Sequence, residues 1–129
     1  MYLLDTDFIV ALLRNNNDAI KKAAILEDKS LKISVLTFYE LVEGCFRSRY
    51  PEKAFAALLE LISPFEEINI DRDICFAEGK ISASLKKEGA VIGDDDTLIG
   101  STAVLYNLTI VTRNTKHFAK IPSIKMEEW

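Results

Sequence analysis

Four stretches of this chain place acid or amide side chains where chemistry could be done. Asp5 directly follows the apolar run Tyr2–Leu4, with Thr6 and Asp7 after it. Glu40 lies five residues beyond the β-branched run Leu31-Lys32-Ile33-Ser34-Val35. Asp94, Asp95 and Asp96 form one acidic run behind Gly93, and Arg113 and Asn114 directly follow Leu108-Thr109-Ile110-Val111-Thr112. Carboxylates that converge in a cleft repel one another unless a cation lies between them. A hard divalent ion such as Mg²⁺ takes oxygen ligands, keeps several waters, and needs only a few carboxylates. Oxygen-ligated metal chemistry is therefore the first reading. Each group also has an ordinary role. Asp5 and Asp7 can cap a helix, Glu40 can complete a capping box with Thr37, and an Asp run suits a helix N-terminus.

Stepping from these groups to the elements that carry them, the pattern alternates strand and helix. Tyr2–Leu4 reads as a strand, followed by a helix through Leu13 and a second helical stretch from Asp18. Leu31–Val35 reads as a strand, followed by a helix from Thr37 to about Arg47. Pro51 suits the first turn of the next helix, which Pro64 ends. Phe65–Ile70 reads as a third strand and Asp71–Lys87 as a helix stopped by Gly89. The three aspartates lead a helix through Leu105, Leu108–Thr112 is a strong strand, Asn114–Phe118 a short turn or helix, and Ile124–Met126 a last edge strand. This alternation predicts a single α/β domain with a mainly parallel central sheet flanked by helices. In such sheets ligands bind outside the carboxyl ends of the strands, so the acids would share one rim. Successive helical side chains diverge by about 100°, so the three aspartates cannot all face one ion. Asp96 has the unusual surroundings: Gly100 and Ala103, on its side of the helix, clear a face for close approach by another segment or a ligand.

Composition bounds the rest. The chain has 129 residues, 49% of them hydrophobic, enough for one domain and a buried core. Sixteen Lys+Arg against twenty Asp+Glu give a net charge of −4, which excludes nucleic-acid binding by general positive potential. Local basic segments remain: Arg113 and Lys116 in an acid-free run, and Arg47 with Arg49 in a segment that also holds Glu52. The first of these is the best candidate for phosphate contacts. Cys45 and Cys75 lie apart and only one His is present, which argues against a zinc site or a disulfide framework and for two buried free thiols. No apolar run approaches the ~20 residues needed to span a bilayer, and the N-terminus lacks a signal-peptide pattern, so a cytoplasmic protein without a membrane partner is expected.

Taken in order, the motifs resemble those of PIN-domain ribonucleases over the whole of residues 1–129. Leu3-Leu4-Asp5-Thr6-Asp7 is similar to the family's opening LDT block. Ile33 through Leu41 resembles its second, with Glu-Leu on a helix. Ile92-Gly93-Asp94-Asp95-Asp96, followed by Gly100-Ser101, resembles its IGxxD block, and Leu108 through Phe118 its fourth. The ending, Ile121-Pro122 through Glu128-Trp129, is similar to that of the VapC subgroup. The resemblance implies an endoribonuclease dependent on Mg²⁺ (or Mn²⁺) and a PIN-like fold with an acidic cleft at the carboxyl ends of the strands. Asp5, Glu40 and Asp96 match the family's invariant acids and are the implied catalytic and metal-holding residues. Glu40 would act as a ligand, directly or through water, or by positioning the nucleophile. Asn114 matches a fourth catalytic position that is Asp in many members. Thr6 and Thr112 match hydroxyls that support the ligands, and Asp95 is a further contact. The subgroup implies a toxin that cleaves RNA, is neutralised by a small VapB-type antitoxin, and forms a homodimer. Two other readings exist. Asp5-Thr6-Asp7 also resembles the nucleophile motif of haloacid dehalogenase-like phosphatases, whose acidic block would require an acid where Leu98 stands. A PIN-like module that binds RNA or protein without activity is the other.

Overall fold

The computed structural model covers residues 1–129. It contains β1 (Tyr2–Leu4), α1 (Thr6–Leu13), α2 (Asn17–Ile25), β2 (Leu31–Ser34), α3 (Val35–Arg47) and α4 (Pro51–Ile62). Then follow β3 (Glu66–Ile68), α5 (Arg72–Lys87), α6 (Asp94–Leu105), β4 (Thr109–Val111), α7 (Thr115–Phe118) and β5 (Lys125–Glu127). The five strands form one sheet in the order β3-β2-β1-β4-β5, and every pairing is parallel.

The two middle strands, Tyr2-Leu3-Leu4 and Thr109-Ile110-Val111, are mostly apolar because helices cover both faces of the sheet. Leu3 pairs with Ile110 and Leu4 with Val111 in the β1–β4 register. Alternation sends the two pairs to opposite faces. Leu4 and Val111 join Phe8, Ile9, Ile33, Leu41 and Leu58 in a core under α1 to α4. Leu3 and Ile110 join Leu85, Ile99, Ala103, Phe118 and Ile121 in a core under α5 to α7.

This strand order has a consequence for the site. From β1 the chain runs outward through β2 to β3, then returns to the other side of β1 as β4. The switch point lies between β1 and β4, and a crevice opens there beyond the carboxyl ends of both strands. Asp5 leaves β1 at this point and Thr112 leaves β4 beside it.

Several boundaries differ from the sequence expectation. The third strand is Glu66–Ile68 rather than Phe65–Ile70, and the last is Lys125–Glu127, shifted one residue later than expected. The helix after β2 starts at Val35, with Ser34 as its cap through a 3.1 Å bond from the Leu36 amide to Ser34 Oγ. Thr37 therefore lies inside the helix, fully buried, and forms no capping box with Glu40. Ser34 is equally able to cap, and the earlier start buries Thr37 beneath α1. Of the two cysteines only Cys45 is buried; Cys75 is exposed on α5. No helix is long and apolar enough to cross a membrane.

Candidate active site

Asp5 is the most enclosed acid of the rim, with a relative exposure of 5%. It caps α1, accepting a 2.9 Å hydrogen bond from the Thr6 amide on Oδ1. Its Oδ2 accepts a 2.7 Å bond from the Thr112 hydroxyl. The same hydroxyl accepts from the Asn114 amide at 2.9 Å, so Thr112 ties the turn after β4 to the acid after β1. Burial is the main reason that the Asp5 carboxyl is pushed up to about 7, with the charges of Asp7 and then Asp96 adding to it; the bonds from Thr112 and Thr6 act in the opposite direction.

Glu40 lies on α3 and is half-buried. Its Oε1 accepts a 2.9 Å bond from the Thr6 hydroxyl, and Thr37 Oγ1 lies 3.3 Å from the same hydroxyl. Burial raises its pKa, as do the charges of Asp95, Asp96 and Glu43, while the Thr6 bond lowers it. Asp95 itself is exposed. Asp96 enters from the first turn of α6, whose N-terminus is capped by Gly93 without a side-chain bond. Its Oδ2 receives the Asn114 side-chain amide at 3.1 Å and His117 Nδ1 at 2.9 Å.

The structure thus brings Asp5, Thr6, Glu40, Asp95, Asp96, Thr112 and Asn114 to one rim. Burial raises both Asp5 and Glu40, and the charge of Asp96 adds to the rise at Asp5 as those of Asp95 and Asp96 add to the rise at Glu40. No three His, Cys, Asp or Glu side chains are grouped closely enough to form a ready-made metal site. The donor set is nevertheless suited to a hard cation that keeps waters and takes a few carboxylates. A buried carboxylate flanked by like charges is the electrostatic situation that such a cation relieves. Asp5, Asp96 and Glu40 are the carboxylates that could hold it.

The basic candidates are arranged less simply. Arg113 donates from Nε to the Trp129 carbonyl at 2.8 Å, pairs with Asp18 at 3.0 Å, and lies 3.8 Å over the Trp129 ring. Its guanidinium fastens the C-terminus in place. Arg47 pairs with Glu43 at 2.6 Å, and Arg49 lies over the Tyr50 ring. Lys116 is exposed.

Three residues of the rim were not singled out by the sequence. His117, the only histidine of the chain, lies with Nδ1 2.9 Å from Asp96 Oδ2. Asp7 was read as a cap, yet its Oδ2 accepts the Arg113 amide at 2.8 Å and fixes the start of the Asn114 turn. Arg14 lines one groove with Glu40 and another with Asp7 and Trp129. Placement in an acid-adjacent groove is a tertiary fact, and its position at the end of an amphipathic helix gave no sign of it.

Comparison with known proteins identifies the family. The PIN domain family model matches residues 2–124. The chain belongs to the PIN domain family. Within that family it groups with the VapC ribonucleases. Ribonuclease VapC1 of Haemophilus influenzae is 32% identical over 134 aligned positions, covering 100% of this chain and 98% of that one. The tRNA(fMet)-specific endonuclease VapC of Salmonella typhimurium is 30% identical, covering 99% and 97%. A crystal structure of VapBC2 from Rickettsia felis, bound to a promoter DNA fragment, contains a chain that superposes with a TM-score of 0.92 at 29% identity, covering 99% and 98%. The phosphatase reading lacks its acid at Leu98 and finds no support in these matches.

Proposed function

We propose that this chain is a VapC-type endoribonuclease toxin that hydrolyses RNA phosphodiester bonds with Mg²⁺ or Mn²⁺ and is held inactive by a VapB-type antitoxin. The observation that carries the proposal is the convergence of Asp5, Glu40 and Asp96 at the β1–β4 switch point, with Asp5 burdened by burial and by its acidic neighbours. The full-length similarity to proteins named as ribonucleases supports the reaction class.

When bound, a divalent cation lowers the pKa of a water and shields phosphate charge. The protein's own part is positional. Thr112 and the Thr6 amide fix both oxygens of Asp5, and the Thr6 hydroxyl fixes one oxygen of Glu40. Asn114 fixes Asp96 as a neutral amide donor, so this position adds a hydrogen bond to the cluster rather than a further negative charge. Asp5, Asp96 and Glu40 would hold the ion, and Glu40 would ligate it directly or through water, or orient the attacking water. Lys116 and Arg14 are exposed at the edges of the rim and would meet the flanking phosphates.

The solved relative is a VapBC complex, which supports an antitoxin partner. Tyr39 and Phe46, one heptad apart on α3, are 53% and 61% exposed and offer such a partner apolar anchors. A homodimer and a cytoplasmic location belong to the same reading. The test is cleavage of bulk tRNA by the purified chain with Mg²⁺ or Mn²⁺. Cleavage that EDTA abolishes, and that added antitoxin suppresses, supports the proposal. Cleavage that persists undiminished in EDTA contradicts its metal dependence.

A further inference from the structure

Asp96 is held by two side chains from the segment that follows β4. Both hydrogen bonds to its side chain fall on Oδ2: Asn114 Nδ2 at 3.1 Å and His117 Nδ1 at 2.9 Å. The two nitrogens also lie 3.1 Å from each other, and with Asp96 ionised no proton assignment makes all three contacts hydrogen bonds, so the shorter contact to the carboxylate decides where the imidazole proton sits. A bare Nδ1 would turn its lone pair toward a carboxylate oxygen at 2.9 Å. An Nδ1–H instead makes a charge-assisted bond there, and the Asn114 amide donates to the same oxygen's other lone pair.

The frame around this contact is built to hold it. His117 lies on the four-residue α7, between Asn114 and Phe118. Phe118 is fully buried and Ile121 is 2% exposed, so α7 is anchored from below. Both pack against Gly100, one turn after Asp96 on α6. A Cβ at Gly100 would stand 2.2 Å from Ile121 Cδ1 and 3.5 Å from Phe118 Cδ1. The missing side chain lets α7 approach α6 closely enough for His117 to reach Asp96.

We propose that His117 is a positioning residue for Asp96: its Nδ1–H, with the Asn114 amide, occupies Oδ2 and turns Oδ1 toward the cation position in the cleft. What the cleft binds rests on the metallonuclease reading, whereas the contact itself does not. Side chains that orient a ligating carboxylate typically contribute ~10–100-fold in metal affinity. The geometry also separates two conservative substitutions. The amide of Asn places its nitrogen near the position of imidazole Nδ1, while the amide of Gln reaches the position of Nε2. Only the former can replace the bond.

Two measurements on the full chain test this. In metal-free protein above neutral pH, imidazole carbon and nitrogen chemical shifts should show His117 as the Nδ1–H tautomer, opposite to the form that predominates for a free histidine. Titration with Mn²⁺ alone, followed by electron paramagnetic resonance, should show His117→Ala weakening binding ~10-fold. His117→Asn should restore most of the affinity, and His117→Gln should behave like the alanine variant, all with unchanged circular dichroism. An Nε2–H tautomer overturns the proposal, as does wild-type Mn²⁺ affinity in His117→Ala or rescue by Gln but not by Asn. If wild-type protein takes up no Mn²⁺, the metallonuclease reading fails, while the tautomer still decides whether His117 donates to Asp96.

Discussion

Asp5 Oδ2 and Thr112 Oγ1 lie 2.7 Å apart across the junction where β1 and β4 end side by side. The two residues are 107 positions apart in the chain, yet they follow the paired Leu4 and Val111 directly. The bond stitches the switch point of the sheet, and the acidic cleft is organised around it. Thr112 is fully buried, and its hydroxyl also receives the Asn114 amide.

Thr112→Val keeps the shape and removes both functions of the hydroxyl. It should cost about 1–3 kcal/mol, because Asp5 Oδ2 and the Asn114 amide lose a buried partner. RNA cleavage should fall ~10–100-fold. Thermal melting and cleavage rates of the same preparation check both numbers, and a variant with full activity would show that Asp5 needs no such support.

The raised pKa of Asp5 makes a prediction about stability and pH. Its carboxyl is near 3.8 in the unfolded chain and about 7 in the fold. Between those values the folded state binds the extra proton, so stability falls as pH rises through this window. The cost is complete above about 7 and is on the order of 1–4 kcal/mol. Asp5→Asn retains a good helix cap and removes the titration. In EDTA, the variant should melt several degrees above wild type at alkaline pH and close to it near pH ~4. A wild-type chain whose stability rises relative to the variant across this window would contradict the assigned burial.

Much of this arrangement was legible beforehand. Apolar Tyr2–Leu4 and Leu108–Thr112, each followed at once by polar groups, announced strands that end at a common rim. Gly100 and Ala103 beside Asp96 announced a close approach, and the approaching segment is the one that carries Phe118 and Ile121. The remainder depended on packing across the sheet. Ser34 and Thr37 are equally competent caps, and only the fit of α3 against α1 chooses Ser34 and buries Thr37. His117 and Asp7 acquire their contacts from the α6–α7 and α1–β4 junctions, which no local pattern encodes. Arg113, read as a phosphate contact, lies over a tryptophan 16 residues later in the chain.

That last contact separates two basic residues in one loop. Arg113→Ala should lower the melting temperature, by loss of the Trp129 stack and the Asp18 pair, at a cost of about 1–2 kcal/mol. Lys116→Ala should leave melting unchanged and weaken RNA binding, with the salt dependence reduced by about one counterion. Filter binding across a salt series distinguishes them. Because Trp129 is the only tryptophan, its fluorescence reports the docking of the C-terminus directly.

Gly100→Ala should improve helix propensity by ~1 kcal/mol yet drive a methyl into the Ile121 side chain, for a net loss of about 1–2 kcal/mol. Ile121→Val removes the clashing Cδ1. The double variant should therefore be more stable than the sum of its parts. Additive losses in a double-mutant cycle would mean that α7 is not seated on Gly100.

The central claim is that Asp5 takes part in cation-assisted RNA hydrolysis rather than serving as a buried cap. The direct measurement is cleavage of RNA by Asp5→Asn at saturating Mg²⁺, on protein shown by melting to be folded. The expected result is a loss of at least ~100-fold in rate with fold stability equal to or above wild type. Cleavage at the wild-type rate by the folded variant would contradict it.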